Sequence, residues 1–288
     1  MRHCIALLLL TITAGGQTLA ASAAPAERSA IDRRIELERR THENRFSITP
    51  HRPTYVLPLT YNARPNTAPY EAVPEPEPNP EEVKFQFSFK ILLERNLFGH
   101  ADLAFGYTQL SFWQAYNGDY SSPFRETNHE PELMLNFATD YELFGWRNRF
   151  VNLYINHQSN GRTDPLSRSW NRIILEAVLE RDNTYVSIKP WWRIPEKAAE
   201  DDNPDIDQYL GHFELRALRE FSQYRLGLML RNNFRAGNRG ALQLEWTFPL
   251  RGRLRGYAQL FTGYGESLID YNHYSNRAGI GVMLINWL

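Results

Sequence analysis

The sequence predicts an all-β protein, a twelve-stranded antiparallel transmembrane β-barrel. Three observations predict it: twelve stretches of strand length, side chains that alternate apolar and polar along them, and connections of two kinds, some tight and some long and polar. The stretches run 54–62, 83–93, 101–114, 131–139, 148–159, 169–181, 184–195, 209–220, 224–233, 241–249, 254–265 and 277–288. Phe85, Phe87, Phe89 and Ile91 oppose Lys84, Gln86, Ser88 and Lys90, the period of two that a wall with one apolar face requires. Connections 115–130, 160–168 and 196–208 are the long polar ones, as on one rim of an outer-membrane barrel.

Two segments precede the barrel. Residues 1–23 carry Arg2, an apolar stretch from Ile5 and a run of small residues ending at Ala23, the pattern of a cleaved secretory signal peptide. Cys4 lies ahead of the apolar stretch, so the mature chain is expected to contain no thiol. Residues 24–50 form a charged arm dense in Glu and Arg, read as solvated and partly helical with no site in it. The barrel is assigned to 51–288, with Pro74 to Pro80 as a stiff connector that cannot join a sheet interior. The chain ends at Trp287 and Leu288 inside the last expected strand.

Composition narrows the class. With 32 basic and 33 acidic residues among 288, the net charge of −1 lacks the basic excess that tracks phosphates, so no nucleic acid is expected as a partner. Outside the leader no apolar run is long enough for a membrane helix, whereas barrel strands average their hydropathy away. The 7 Trp, 15 Tyr and 16 Phe suit interfacial aromatic girdles.

Chemistry concentrates on the fifth and sixth stretches. Arg149, Val151, Leu153, Ile155, His157 and Ser159 share one face, which must be the lipid face because its centre is aliphatic. The returning strand puts Ser169, Asn171, Ile173, Leu175, Ala177 and Leu179 on the same face, bringing Asn171 close to His157. Nucleophile, general base and orienting group in that order are what acyl transfer needs: Ser159 would lose its proton to His157, and the Asn171 carbonyl would fix the imidazole tautomer. An amide cannot stabilise imidazolium as a carboxylate does, so further electrostatic help is required. Gly161 can offer a backbone N–H to an oxyanion, and the loop carbonyls with Ser167 are oxygen ligands for a hard cation such as calcium. Gln109 shares the apolar row of Leu103, Phe105 and Tyr107, where an amide facing hydrocarbon needs a partner. The equivalent Gln109 of a second barrel would supply one, which predicts a homodimer. His100, His129, His212 and His273 lack metal-ligand spacing and read as surface or lumen residues.

The string His157-Gln-Ser-Asn-Gly-Arg-Thr-Asp-Pro-Leu-Ser-Arg-Ser-Trp-Asn171 resembles the active-site motif of the outer membrane phospholipase A family of Gram-negative bacteria. So do Tyr107 to Ser111, Ser121 to Thr127, Asp201 to Asp205 and Gly263 to Asn272. The resemblance implies calcium-dependent hydrolysis of phospholipid acyl esters at both glycerol positions, lysophospholipids included, with Ser159 as nucleophile, His157 as base, Asn171 as its orienter and Gly161 as oxyanion amide. It gives calcium to the backbone oxygen of Arg162, to Ser167 and to Ser121 of a second subunit, and it matches Asp164 and Asp202 to a second calcium position. Family members usually end in an aromatic residue, where this chain has Leu288. Two alternatives remain: a passive outer-membrane barrel with Ser159 and His157 as rim polarity, which would neither hydrolyse phospholipid nor respond to calcium, and a secreted β-sandwich, which would not partition to the outer membrane.

Overall fold

The computed structural model describes residues 29–41, 47–71, 73–75, 77–252 and 254–285. The leader, Cys4, residues 24–28 of the arm, and the terminal Trp287 and Leu288 lie outside the described residues. Among the described residues no helix is long and apolar enough to cross a membrane. The membrane is crossed by strands: β1 (Ile48–Pro50), β2 (Thr54–Asn62), β3 (Glu81–Leu97), β4 (Ala101–Trp113), β5 (Phe124–Leu143), β6 (Trp146–Ser159), β7 (Ser169–Arg181), β8 (Thr184–Ile194), β9 (Phe213–Phe221), β10 (Tyr224–Asn232), β11 (Gly240–Pro249), β12 (Arg255–Tyr264) and β13 (Tyr274–Ile285). Both β1 and β2 pair with β3, Pro50 opposite Phe89 and Tyr55 opposite Gln86, so they are one stave interrupted at residues 51–53, where Pro53 has no N–H for the ladder. Twelve antiparallel staves result, and pairing of β13 with β2 closes them into a barrel without an edge.

The tight connections share one rim. At Phe144-Gly145 both residues have positive φ (52° and 76°), the conformation of a two-residue hairpin turn that matches strand twist. Phe98 and Phe144, 89% and 91% exposed at such turns, stand where an aromatic belt meets the membrane surface. The opposite rim carries the long loops. There β5 begins at Phe124, so half of the expected 115–130 connection is strand. Its Glu126, Asn128 and Glu130 are buried, and a lumen-facing row of that kind removes the apolar alternation by which strands are recognised.

The lumen is filled by ion pairs. Glu82 takes Arg125 at 2.6 Å and Arg277 at 2.7 Å; Glu266 takes Lys84 and Arg277, both at 2.9 Å. All three cations lie about the ring of Phe112, which they hold between them. Glu266 and Asp270, the latter bound to Arg125 at 3.0 Å, come from the loop between β12 and β13, so the network draws that loop across the mouth of the barrel. Its Ile269 then packs with Tyr70 and with Leu166 of the loop between β6 and β7.

The arm corrects one expectation. Its charges are not all spread in solvent: α1 (Ala30–Thr41) starts where the Ser29 hydroxyl accepts the Asp32 N–H at 3.1 Å, and it buries Ala30 and Ile31 against Val178, Tyr185 and Leu218. Glu38 meets Lys90 at 2.9 Å and Asp32 meets Arg149 at 2.6 Å. Arg149 is the second correction. The register slips between Asn148 and Phe150, and the extra residue lets Arg149 leave the lipid row for Asp32 and Glu180.

Candidate active site

Register places the site. His157 pairs with Asn171 across β6 and β7, and Ser159 pairs with Ser169 on one side and His129 of β5 on the other. Below them on the same outward rows lie the exposed Leu153, Ile155, Ile173 and Leu175. The polar residues therefore sit at the upper edge of an exposed apolar band.

His157 Nδ1 lies 2.8 Å from Asn171 Oδ1. An amide oxygen only accepts, so Nδ1 carries a proton, and in the neutral ring the lone pair is on Nε2. Asn171 Nδ2 in turn donates to Glu196 Oε1 at 2.7 Å. Ser159, half-buried, follows His157 by two residues and shares its face.

Asn160 builds the next loop. Its Oδ1 accepts the N–H groups of Arg162 (3.2 Å) and Arg168 (3.0 Å), and its Nδ2 donates to the Leu166 carbonyl at 2.8 Å. The loop is thereby folded back on itself with Gly161 at its start. Gly161 has φ +64°, a conformation that a Cβ would strain, and the space above its Cα is bounded by the His129 ring, about 3.8 Å from where a Cβ would stand. His129 Nδ1 lies 2.7 Å from the Tyr107 hydroxyl oxygen. A residue read as ordinary surface thus stands beside Ser159 and Gly161.

The candidate metal ligands divide. Ser167 Oγ donates to Asp202 Oδ2 at 2.5 Å, joining the loop to the one after β8, and Asn203 holds the same junction by accepting the Ser169 N–H at 3.0 Å. Arg162 offers its peptide oxygen in the same loop while its guanidinium is bound by Glu75. Asp164 is exposed at the turn beyond. Ser121 stands on another loop, the one between β4 and β5, exposed and left-handed (φ 59°).

Gln109, on the outward face of β4 opposite His129, is not alone. Its Oε1 accepts from Tyr107 at 3.3 Å and its Nε2 donates to Ser111 at 3.0 Å, leaving one N–H and one lone pair for another partner.

The family model for phospholipase A1 matches residues 31–284. The chain belongs to the phospholipase A1 family. The phospholipase A1 of Escherichia coli K12 is 41% identical over 265 residues, covering 91% of this chain and 88% of that protein, and that of Salmonella typhimurium is 40% identical over 273 residues, again with 91% and 88% covered. Among solved structures, outer membrane phospholipase A from Escherichia coli superposes with a TM-score of 0.80 at 40% identity, over 84% of this chain and all of that one. A Salmonella typhi outer membrane phospholipase, solved as a dimer with bound calcium, gives 0.80 at 40%, over 85% and 94%. As a member of the phospholipase A1 family this chain is a multi-pass outer-membrane β-barrel with phospholipase function.

Sequence reasoning passed over Glu196, Asn160 and His129. Asn160 precedes a glycine at a strand end, a turn signal that could have marked it. Glu196 lies in a loop without periodicity and carried no signal.

Proposed function

We propose that this phospholipase is a calcium-dependent serine esterase whose reaction takes place on the outer wall of the barrel. The observation that carries the reading is the His157–Asn171 hydrogen bond at the upper edge of the lipid-facing band. Ser159 Oγ attacks the ester carbonyl carbon of a phospholipid whose acyl chain lies along Ile155 and Ile173, while His157 Nε2 takes its proton. The tetrahedral intermediate places its oxyanion towards the Gly161 N–H. Its collapse breaks the bond to glycerol, and His157 returns the proton to the departing glycerol oxygen. Water, deprotonated by His157, then releases the fatty acid and restores Ser159. The resemblance to outer membrane phospholipase A extends this reading to the acyl esters at both glycerol positions and to lysophospholipids.

The residues fit a hard cation. The Arg162 peptide oxygen, Ser167 Oγ and Asp202 are oxygen donors of low total charge, and among the described residues no cluster of three His, Cys, Asp or Glu offers a softer or more charged cage. Arg162, Ser167 and Ser121 of a second subunit would hold calcium, with Asp202 and Asp164 at a second position. Bound there, calcium would supply positive charge that favours the oxyanion. Homodimerisation completes the set: the spare hydrogen-bonding capacity of Gln109 suits the same residue across a two-fold axis, and the Salmonella typhi relative was solved as a calcium-bound dimer. Refolded protein should release fatty acid from detergent-solubilised phospholipid with calcium, lose that activity in excess chelator, and recover poorly with magnesium. Full turnover in chelator would remove the cation from the reaction.

A further inference from the structure

Asn171 has an amide that can be turned either way, and nothing in a lone Asn decides which end meets His157. Glu196 decides it. An ionised carboxylate only accepts hydrogen bonds, so its Oε1, 2.7 Å from Asn171, must face the NH2 group and so turns Oδ1 towards His157 Nδ1. The charge of Glu196 is not spent elsewhere. Its Oε2 is buried without a hydrogen-bond partner, and the adjacent cations are taken, Arg193 by Asp201 at 2.6 Å and Lys197 by Glu200 at 3.1 Å.

We propose that Glu196 is a positioning residue for the hydrolysis, the terminal carboxylate of a Ser159, His157, Asn171 and Glu196 relay. It locks the orientation of the Asn171 amide and, through that polarised amide, stabilises the imidazolium formed when Ser159 gives up its proton. It supplies at one remove the charge that an amide orienter lacks. The inference rests on His157 being the base of the proposed reaction. Titratable neighbours of His157 on the packed outward rows are few among the described residues: β5 brings His129, β7 and β8 bring none near it, and the loop after β8 brings Glu196; Arg162 of the following loop is bound to Glu75.

The test uses full-length refolded enzyme with calcium, compared at equal amounts of folded, heat-modifiable barrel. Glu196→Ala should lower kcat by on the order of tenfold or more with little change in KM, the loss expected for one charge-assisted hydrogen bond made to a catalytic group. Glu196→Gln can still accept from Asn171, so it should restore most of the kcat that Glu196→Ala loses, again with little change in KM. Asn171→Asp alone should be impaired, with two carboxylates forced together, and adding Glu196→Gln should restore activity about tenfold or more by supplying an amide donor. Wild-type kcat in Glu196→Ala, an equal loss in Glu196→Gln, or a double variant no better than Asn171→Asp would overturn the proposal. Activity of Ser159→Ala at the wild-type level would instead overturn the underlying reading.

Discussion

The lumen and the outer wall of this barrel use the same polar residue types to opposite ends. Inside, the charges about Phe112 are shared: Glu82 holds Arg125 and Arg277, Glu266 holds Lys84 and Arg277, and Asp270 holds Arg125. Outside, the polar side chains form short lines with open ends. His157 is bonded through Nδ1 to Asn171 and shares its strand face with Ser159 two residues on, and Gln109 keeps part of its amide unused. Closed networks fix a structure, and in the proposed reaction the open ends would receive a proton, an ester and a second subunit. The two regions are mechanically joined, since the loop that the lumen network draws inward packs its Ile269 against Leu166 of the loop carrying Gly161.

Five substitutions break that comparison in different places. Ser159→Ala or His157→Ala should have the largest effect, a loss of hydrolysis on the order of 10⁴-fold or more, with an unchanged heat-modifiable band on gels because neither side chain supports the interior. Asn171→Ala should cost less by roughly two orders of magnitude, measured as residual fatty acid release, since nucleophile and base remain. Arg277→Ala reverses the pattern. It leaves Glu82 and Glu266 each short of a cation and should destabilise the barrel by about 3–5 kcal/mol, read from denaturant unfolding in detergent, while activity per folded barrel falls far less than in the Ser159 and His157 variants. Gln109→Ala should be the mildest, weakening dimerisation by roughly 1–2 kcal/mol in sedimentation with calcium and an acylating reagent; a fully active monomer would detach the dimer from the chemistry.

The wall was legible in the sequence because period-two alternation fixes which residues share a face. That sufficed to put Ser159, His157 and Asn171 on one outward row and to count the staves. It failed where a residue left the period: Arg149 turns inward at a bulge, which alternation cannot announce. It failed again where both faces are polar, as in the first part of β5, where Glu126 and Asn128 face the lumen while Thr127 and His129 line the other side. The docking of α1 was hidden because Asp32 and Glu38 find their partners, Arg149 and Lys90, more than fifty residues away. Glu196 was hidden for the same reason: only the folded loop after β8 brings it to Asn171.

The central claim is that the open end of the outer-wall line at Ser159 performs the hydrolysis. Reaction of the folded, calcium-loaded barrel with an acyl-transferring ester reagent, followed by peptide mass mapping, tests it most directly. The acyl group should appear on Ser159, in proportion to the activity lost, and should fail to appear when calcium is chelated or His157 is replaced by Ala. Complete inactivation with Ser159 unmodified and the group on another side chain would contradict it.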